Sequence, residues 1–470
     1  MKWVRLGLRL GLIILAAMLP VKAQDGNTLL VIRGGTLIDG TGTLPQKDAL
    51  IFIRGGEIIA LGTNAEIPEG AKEMDAKGKF ILPGLLDSLV RIGPTPGNHL
   101  SRSEVAIGQR LESLRALLTS GVTTTRLIQG SLLEQDLYQR WALDDLLPSP
   151  RIVTSGPVFT AKGGHPVEEY SVLGVDVRDR ETRQIDDEDQ ARELSREVAH
   201  AGANSFEIIY DQGPVSKRSP RLEKSYLETL VAEAQGHNLP AFCEVSWDQE
   251  AGDAAGVGAR AIEGVWEEAL SAQTLSVMAK NNVYFVPALT QQGDLFALID
   301  EANLKAYLAD PLVRQSLSSV MKQSLASSSG MIPRVRSSLN AIGGKEVRQR
   351  FEEQQKRAFE NVRKAKQAGV KIAVGTGAGS LLIFPGASVH RELQLLVKAG
   401  LTPMEAIVAA TQNTAASLGR SEEIGTIEVG KKADLLILDA DPLADIRNTE
   451  RIHEVIWEGH EIRWDNYPPR

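Results

Sequence analysis

Between Leu85 and Ile372 short apolar runs alternate with longer stretches of helical periodicity, and nothing else in the chain restricts its fold so tightly. The runs begin near Leu85, Val122, Arg151, Phe206, Ala241, Ala261, Tyr284 and Ile372. A strand, a helix and a second strand make the unit of a parallel sheet, with the helix covering one face of it. Repetition of that unit predicts an α/β fold, specifically a TIM-like (β/α)8 barrel. The helical stretches support it: Phe351, Ala358, Phe359, Val362 and Ala365 share one helical face, and Gly369 sits where a C-terminal stop belongs. Thr402-Pro403-Met404-Glu405 reads as an N-cap, a first-turn proline and a capping-box glutamate.

The flanks are built differently. From Asn27 to Phe80, short apolar runs are broken by Gly34-Gly35 and Gly55-Gly56, which are strand and turn signals, and the same style returns after Ser421. The expected organisation is a leader over 1–23, a composite unit of 24–80 with 421–470, and a barrel over 81–420. Within the barrel, 290–350 exceeds an ordinary βα connection and is expected as an insertion over the barrel mouth, either a lid or a solvated excursion.

Lys2, Arg5 and Arg9 precede an apolar stretch from Leu10 to Leu19 and the small-residue site Val21-Lys22-Ala23. This is the pattern of a secretory signal cleaved near Ala23, so the chain is expected to be exported, periplasmic or secreted, with no membrane span in its mature form. Loss of the leader would make the net charge of −8 more negative still. That argues against nucleic acid as a partner. The single cysteine, Cys243, cannot form an internal disulfide and is expected as a small buried hydrophobe.

The run Ile81-Leu82-Pro83-Gly84-Leu85-Leu86-Asp87-Ser88-Leu89-Val90-Arg91 resembles the first strand of the amidohydrolases, in particular their imidazolonepropionase-like and Xaa-Pro dipeptidase-like branch, and the likeness extends over nearly the whole mature chain. It implies that the terminal segments join into one small β-sandwich. It also places the family's ligands to a binuclear, zinc-type site on this sequence, and each position holds something else. Leu89 and Arg91 stand where the resemblance puts two histidines. Glu207, in Ser205-Phe206-Glu207-Ile208, replaces a carboxylated lysine, and Glu244 and Gly264 replace two further histidines. Gly377, in Gly375-Thr376-Gly377-Ala378-Gly379, replaces an aspartate. Leucine and glycine side chains offer no lone pair, and a guanidinium is a permanent cation, so no metal and no other cofactor is expected.

The substitutions introduce one cation and two anions. Arg91 is expected between Glu207 and Glu244, since a guanidinium can satisfy two carboxylates that would otherwise be buried unpaired. His165, in the glycine-rich stretch after the third strand, is the candidate for ligand contact, and the 375–379 glycine run is a weak candidate anion cradle. Three functional classes stay open: a non-catalytic protein binding a small molecule or a protein partner; a hydrolase of C–N bonds with an atypical site; and a metal-free hydrolase using Glu207 and Glu244 as its catalytic carboxyls.

Overall fold

The computed structural model describes residues 28–462 except 93–106, most of 133–148, 172–174, 214–217, 294–300 and scattered positions of 318–343. The leader and His99 lie outside the described residues. Among those described, no helix is long and apolar enough to cross a membrane.

The flanks assemble into one eight-stranded sheet. Its N-terminal strands are β1 (Leu30–Leu37), β2 (Gln46–Arg54), β3 (Glu57–Gly62), β4 (Lys72–Asp75) and β5 (Phe80–Pro83). Between β2 and β3, Gly55 and Gly56 both take positive φ, 60° and 78°, which is what a two-residue turn between twisted strands demands. Residue pairing across β5 stitches the two ends of the chain together: β1 runs parallel to it on one side, and Leu435–Leu438 antiparallel on the other. Leu30, Ile32, Ile51 and Ile81 share a core with Leu435, Ile437 and Ile456, so neither terminal piece buries its apolar face without the other.

The barrel strands follow as β6 (Leu85–Val90), β7 (Val122–Leu127), β8 (Arg151–Thr154), β9 (Val158–Ala161), β10 (Thr182–Ile185), β11 (Phe206–Ile209), β12 (Ala241–Val245), β13 (Ala261–Gly264) and β14 (Tyr284–Val286). β6, β7 and β8 pair in parallel, as do β11 to β14. Asn204 and Ser205 donate to the Thr154 carbonyl where the two groups meet. The segment from Ile372 closes the ring, bridging Phe285 at one end and Val90 at the other. β9 and β10 are an excursion beside the third strand: Val158-Phe159-Thr160-Ala161 is β-branched and aromatic enough to pair with both β10 and β11.

Two expected helix signals take their predicted form. Thr402 Oγ1 accepts from the Glu405 amide at 3.2 Å while Glu405 accepts from the Thr402 amide at 2.7 Å. The helix Gly344–Gln367 buries Ala358, Val362 and Ala365, and Gly369 beyond it has φ 75°. Barrel and sheet are tied by Arg151, which reaches Asp434 and Glu458 at 2.6 Å each.

The long insertion divides its work. Its helices Glu301–Ala309 and Pro311–Ser316 pack Leu304 and Val313 on Leu382, Phe384 and Ala387, beside a cavity of about 450 Å³. Among its described residues, the start of the helix Gly344–Gln367 brings Arg350 to the strand ends where β12 opens, with Phe351 and Gln354 of the same helix.

Candidate functional site

The barrel interior holds a cation that sequence reasoning did not single out. Arg126, fully buried on β7, points across the barrel to β11 and β13. Its Nη2 bonds Glu207 Oε2 and the Phe206 carbonyl, the latter at 3.3 Å. Its Nη1 bonds Glu263 Oε1 at 3.1 Å and the Ser88 carbonyl at 3.0 Å, and its Nε bonds Ser205 Oγ at 3.1 Å. Each of the five guanidinium N–H donors thus has an acceptor. The Phe242 ring lies flat beneath, 3.8 Å from Cζ.

One guanidinium serves two buried acids, and the other oxygens, Glu207 Oε1 and Glu263 Oε2, receive no donor among the described residues. Burial pushes both carboxyls up, Glu263 well up because Glu207 repels it as well.

Above this layer lies the mouth. Arg91, at the end of β6, donates from Nε to Gln129 Oε1 at 3.0 Å, an oxygen that also accepts from the Tyr170 hydroxyl at 2.5 Å. Its Nη2 stands 3.5 Å from Glu244 Oε2, and its Nη1 is buried without a partner among the described residues. His165 Nε2 is 3.7 Å from the other Glu244 oxygen. Beside them Asp211, 7% exposed, accepts from the Gly213 amide at 2.8 Å and Ser246 Oγ at 3.0 Å, while burial and the Glu244 charge push its carboxyl up. His165, Asp211, Glu244 and Ser246 border a cavity of about 320 Å³, together with Trp266, Glu267, Arg350, Phe351 and Gln354. Behind it, Glu250 takes three backbone amides, Ser246, Trp247 and Gln212, and burial raises its carboxyl to about 7.

The expectation that Arg91 holds both glutamates is therefore corrected. It meets Glu244 alone, because Glu207 lies deeper and Arg126 already occupies it. The three glutamates share the interior with two guanidiniums at two depths. Arg126 was legible in principle as an arginine inside the apolar strand Val122-Thr123-Thr124-Thr125-Arg126-Leu127, where an unpaired charge would not survive. Glu263 carried the same signal in Ala261-Ile262-Glu263-Gly264.

The remaining positions assigned by resemblance have been filled. Leu89, 1% exposed, packs with Ile128, Ala288 and Trp266. At Gly264, φ 97°, a Cβ would sit 2.6 Å from the Val245 carbonyl oxygen and 3.2 Å from the Trp266 ring. At Gly377, φ 71°, it would run into the Gln291 side chain at 2.3 Å. The glycine run engages most of its amides inside the protein: those of Thr376, Gly377, Ala378 and Gly379 donate to Asp87, Leu89, Thr376 and Ile383 respectively, which is not the arrangement of an anion cradle.

Other candidates resolve simply. Burial pushes the Cys243 thiol well up, the opposite of what a nucleophile needs. His390 is buried between Thr449 Oγ1 and the Ser120 carbonyl, and its imidazole is held down to about 4. Among the described residues no three His, Cys, Asp or Glu side chains converge as a metal cluster.

The profile of the Amidohydrolase family matches residues 80–462. An imidazolonepropionase from Thermoanaerobacter pseudethanolicus is 26% identical over 411 residues, covering 84% of each chain. An ochratoxinase from Aspergillus niger is 24% identical over 94% of this chain and 88% of its own. Its crystal structure superposes with a TM-score of 0.72 at 19% identity, over 94% and 97% of the two chains. A Xaa-Pro dipeptidase with bound methionine in its active site superposes with a TM-score of 0.70 at 22% identity, over 93% and 100%. At such identities the structural likenesses establish the fold.

Proposed function

The chain belongs to the amidohydrolase family, and from that premise we propose that it has lost metal-dependent hydrolysis and instead binds a small molecule at its barrel mouth, as an exported protein of the cell envelope. The observation that carries this reading is Arg126, a permanent cation held by Glu263 and by Glu207, the residue standing where the family resemblance puts the metal-bridging carboxylated lysine. The donor set does not fit a divalent metal: Leu89 and the two glycines have no ligating atom, Arg91 is cationic, and Glu207 is already engaged. Of the six positions only Glu244 keeps a carboxylate oxygen at the mouth, and a zinc ion there would stand beside the Arg91 guanidinium, which repels it. Trp266 over Gly264 and Gln291 over Gly377 support it further, because they occupy the space a ligand at either position would need.

The metal-free hydrolase is disfavoured by the same geometry. Glu207 is fully buried beneath Arg126, so it cannot touch a substrate, and a two-carboxyl mechanism with Glu244 loses one partner. The envelope part of the proposal rests on the leader sequence alone.

The deciding experiment is elemental analysis of the mature protein purified without chelator, together with assays on dipeptides and cyclic amides. Metal below a tenth of an equivalent and no turnover is expected. Stoichiometric zinc with hydrolysis overturns the reading. N-terminal sequencing of the exported protein tests cleavage after Ala23.

A further inference from the structure

The cavity at the mouth has a sidedness that specifies a ligand. Four carboxylates line it, Glu168, Asp211, Glu244 and Glu267, against the bases His165 and Arg350. Arg350 is committed to Glu267 at 2.6 Å, which Gln354 also bonds at 2.6 Å. Glu244 has Arg91 on one oxygen and His165 near the other. Asp211 differs. Though nine-tenths buried and facing the cavity, among the described residues it receives hydrogen bonds only from neutral donors, the Gly213 amide and the Ser246 hydroxyl, with His165 near enough to act on its charge. An ionised carboxylate has about four acceptor sites, and two donors leave half of them open toward the cavity.

Two aromatic rings, Trp266 and Phe351, border the same cavity. Trp266 anchors its indole N–H on the Pro287 carbonyl at 3.1 Å, and its ring stands between the cavity and the Leu89, Ile128 and Ala288 cluster, with Phe351 on the same rim. Substitution of Leu89 thus has a constructive side, since it backs an aromatic wall where a polar one would otherwise stand.

We infer that this cavity binds a protonated amine carried on a compact apolar or aromatic body, with Asp211 as its counter-ion, Glu244 as a second acceptor and Trp266 against the body. A cation supplies the donors that Asp211 lacks, and charge-assisted bonds in a desolvated site are the strong ones. An ammonium beside an indole also gains from the ring's negative face. A volume near 320 Å³ suits a ligand of roughly ten to fifteen heavy atoms. A carboxylate ligand would meet Asp211 and Glu244 before it reached Arg91. The inference rests on the binding reading above and names its ligand class.

The test is calorimetry on the full mature protein at pH 7.5 with three probes of one shape: benzylamine, benzyl alcohol and benzoate. Binding of benzylamine at least tenfold tighter than the alcohol, with none of benzoate, is expected, and the comparison needs no variant. Asp211→Asn should lower benzylamine affinity tenfold or more and leave the alcohol unchanged. Benzoate preferred over benzylamine, equal binding of amine and alcohol, or binding of none of the three overturns the inference. Metal analysis on the same preparation separates the two failures: a metal-free protein indifferent to amines sinks this inference alone, whereas stoichiometric zinc sinks the binding reading beneath it.

Discussion

The two charged layers of the barrel are made from the same residue types, arginine with glutamate, yet they do opposite things. In the inner layer Arg126, Glu207 and Glu263 are sealed, the guanidinium has all five donors engaged, and the cluster offers nothing to a visitor. In the outer layer Arg91 and Glu244 meet at only 3.5 Å, Asp211 keeps open acceptor capacity, and a cavity adjoins them. A fully engaged guanidinium and complete burial distinguish the structural ion cluster from the receptive one. A sealed cluster fixes the distances between strands, whereas a partly satisfied cluster keeps interaction energy for a ligand.

The harshest way to break this contrast is to remove the inner cation. Arg126→Met leaves two buried acids without a counter-charge and should lower stability by about 3–5 kcal/mol, read as the midpoint of urea unfolding. Adding Glu207→Gln and Glu263→Gln to that variant should restore a large part, because neutral amides no longer need the guanidinium. If Arg126→Met unfolds at the parental midpoint, the inner layer is not the clamp described here.

How much of this was readable in advance depended on whether the signal was periodic or positional. The barrel, the terminal sheet and the Thr402 capping box follow from local patterns that repeat or sit at fixed offsets, and those are properties of sequence. The pairing of charges is a property of depth along a barrel strand, which sequence does not carry. Parity alone puts Glu207 and Glu244 inside; it does not say that Glu207 lies a layer deeper, within reach of an arginine on β7. Gly264 and Gly377 show the same limit from another side. Their lack of ligating atoms is visible in the sequence, but that Trp266 and Gln291 fill the space is visible only in three dimensions.

Restoring an aspartate at the eighth strand sharpens the comparison by asking whether the old site is vacant or rebuilt. Gly377→Asp must place a Cβ 2.3 Å from Gln291 on a backbone with φ 71°, so it should cost about 1–3 kcal/mol through overlap and left-handed strain. Zinc titration should not recover that loss. A variant as stable as the parent that gains thermal stability with zinc would mean the position is open.

Proton linkage separates the layers differently. Asp87 is sealed beside the barrel axis, where Thr376 donates to it through both hydroxyl and amide, and burial holds its carboxyl up at about 7. From about pH 4 to 7 the native state keeps a proton that the unfolded chain has released, so stability falls as pH rises through that window and levels off above it. One such group contributes at most about 1.4 kcal/mol per pH unit. Asp87→Asn should flatten the fall of the thermal midpoint between pH 5 and 7. Asp211 titrates in contact with the cavity, so Asp211→Asn should alter the pH dependence of benzylamine binding while shifting the thermal midpoint far less. Equal effects of the two substitutions on unfolding would erase the distinction between sealed and receptive acids.

The smallest expected effect on stability falls on the outer pair itself. Arg91 and Glu244 retain about a tenth of their side-chain exposure, their separation is long for a hydrogen bond, and Arg91 Nη1 lacks a partner among the described residues. Arg91→Met should therefore lower stability less than Arg126→Met, because Glu244 keeps some solvent contact while Glu207 and Glu263 have almost none, though both remove one arginine from one barrel. Benzylamine affinity should rise in the same variant, since Glu244 loses its competing cation and turns both oxygens toward the cavity. A stability loss matching that of Arg126→Met, or an amine affinity that falls, would mean that the two layers form a single clamp and that the mouth holds no acceptor in reserve.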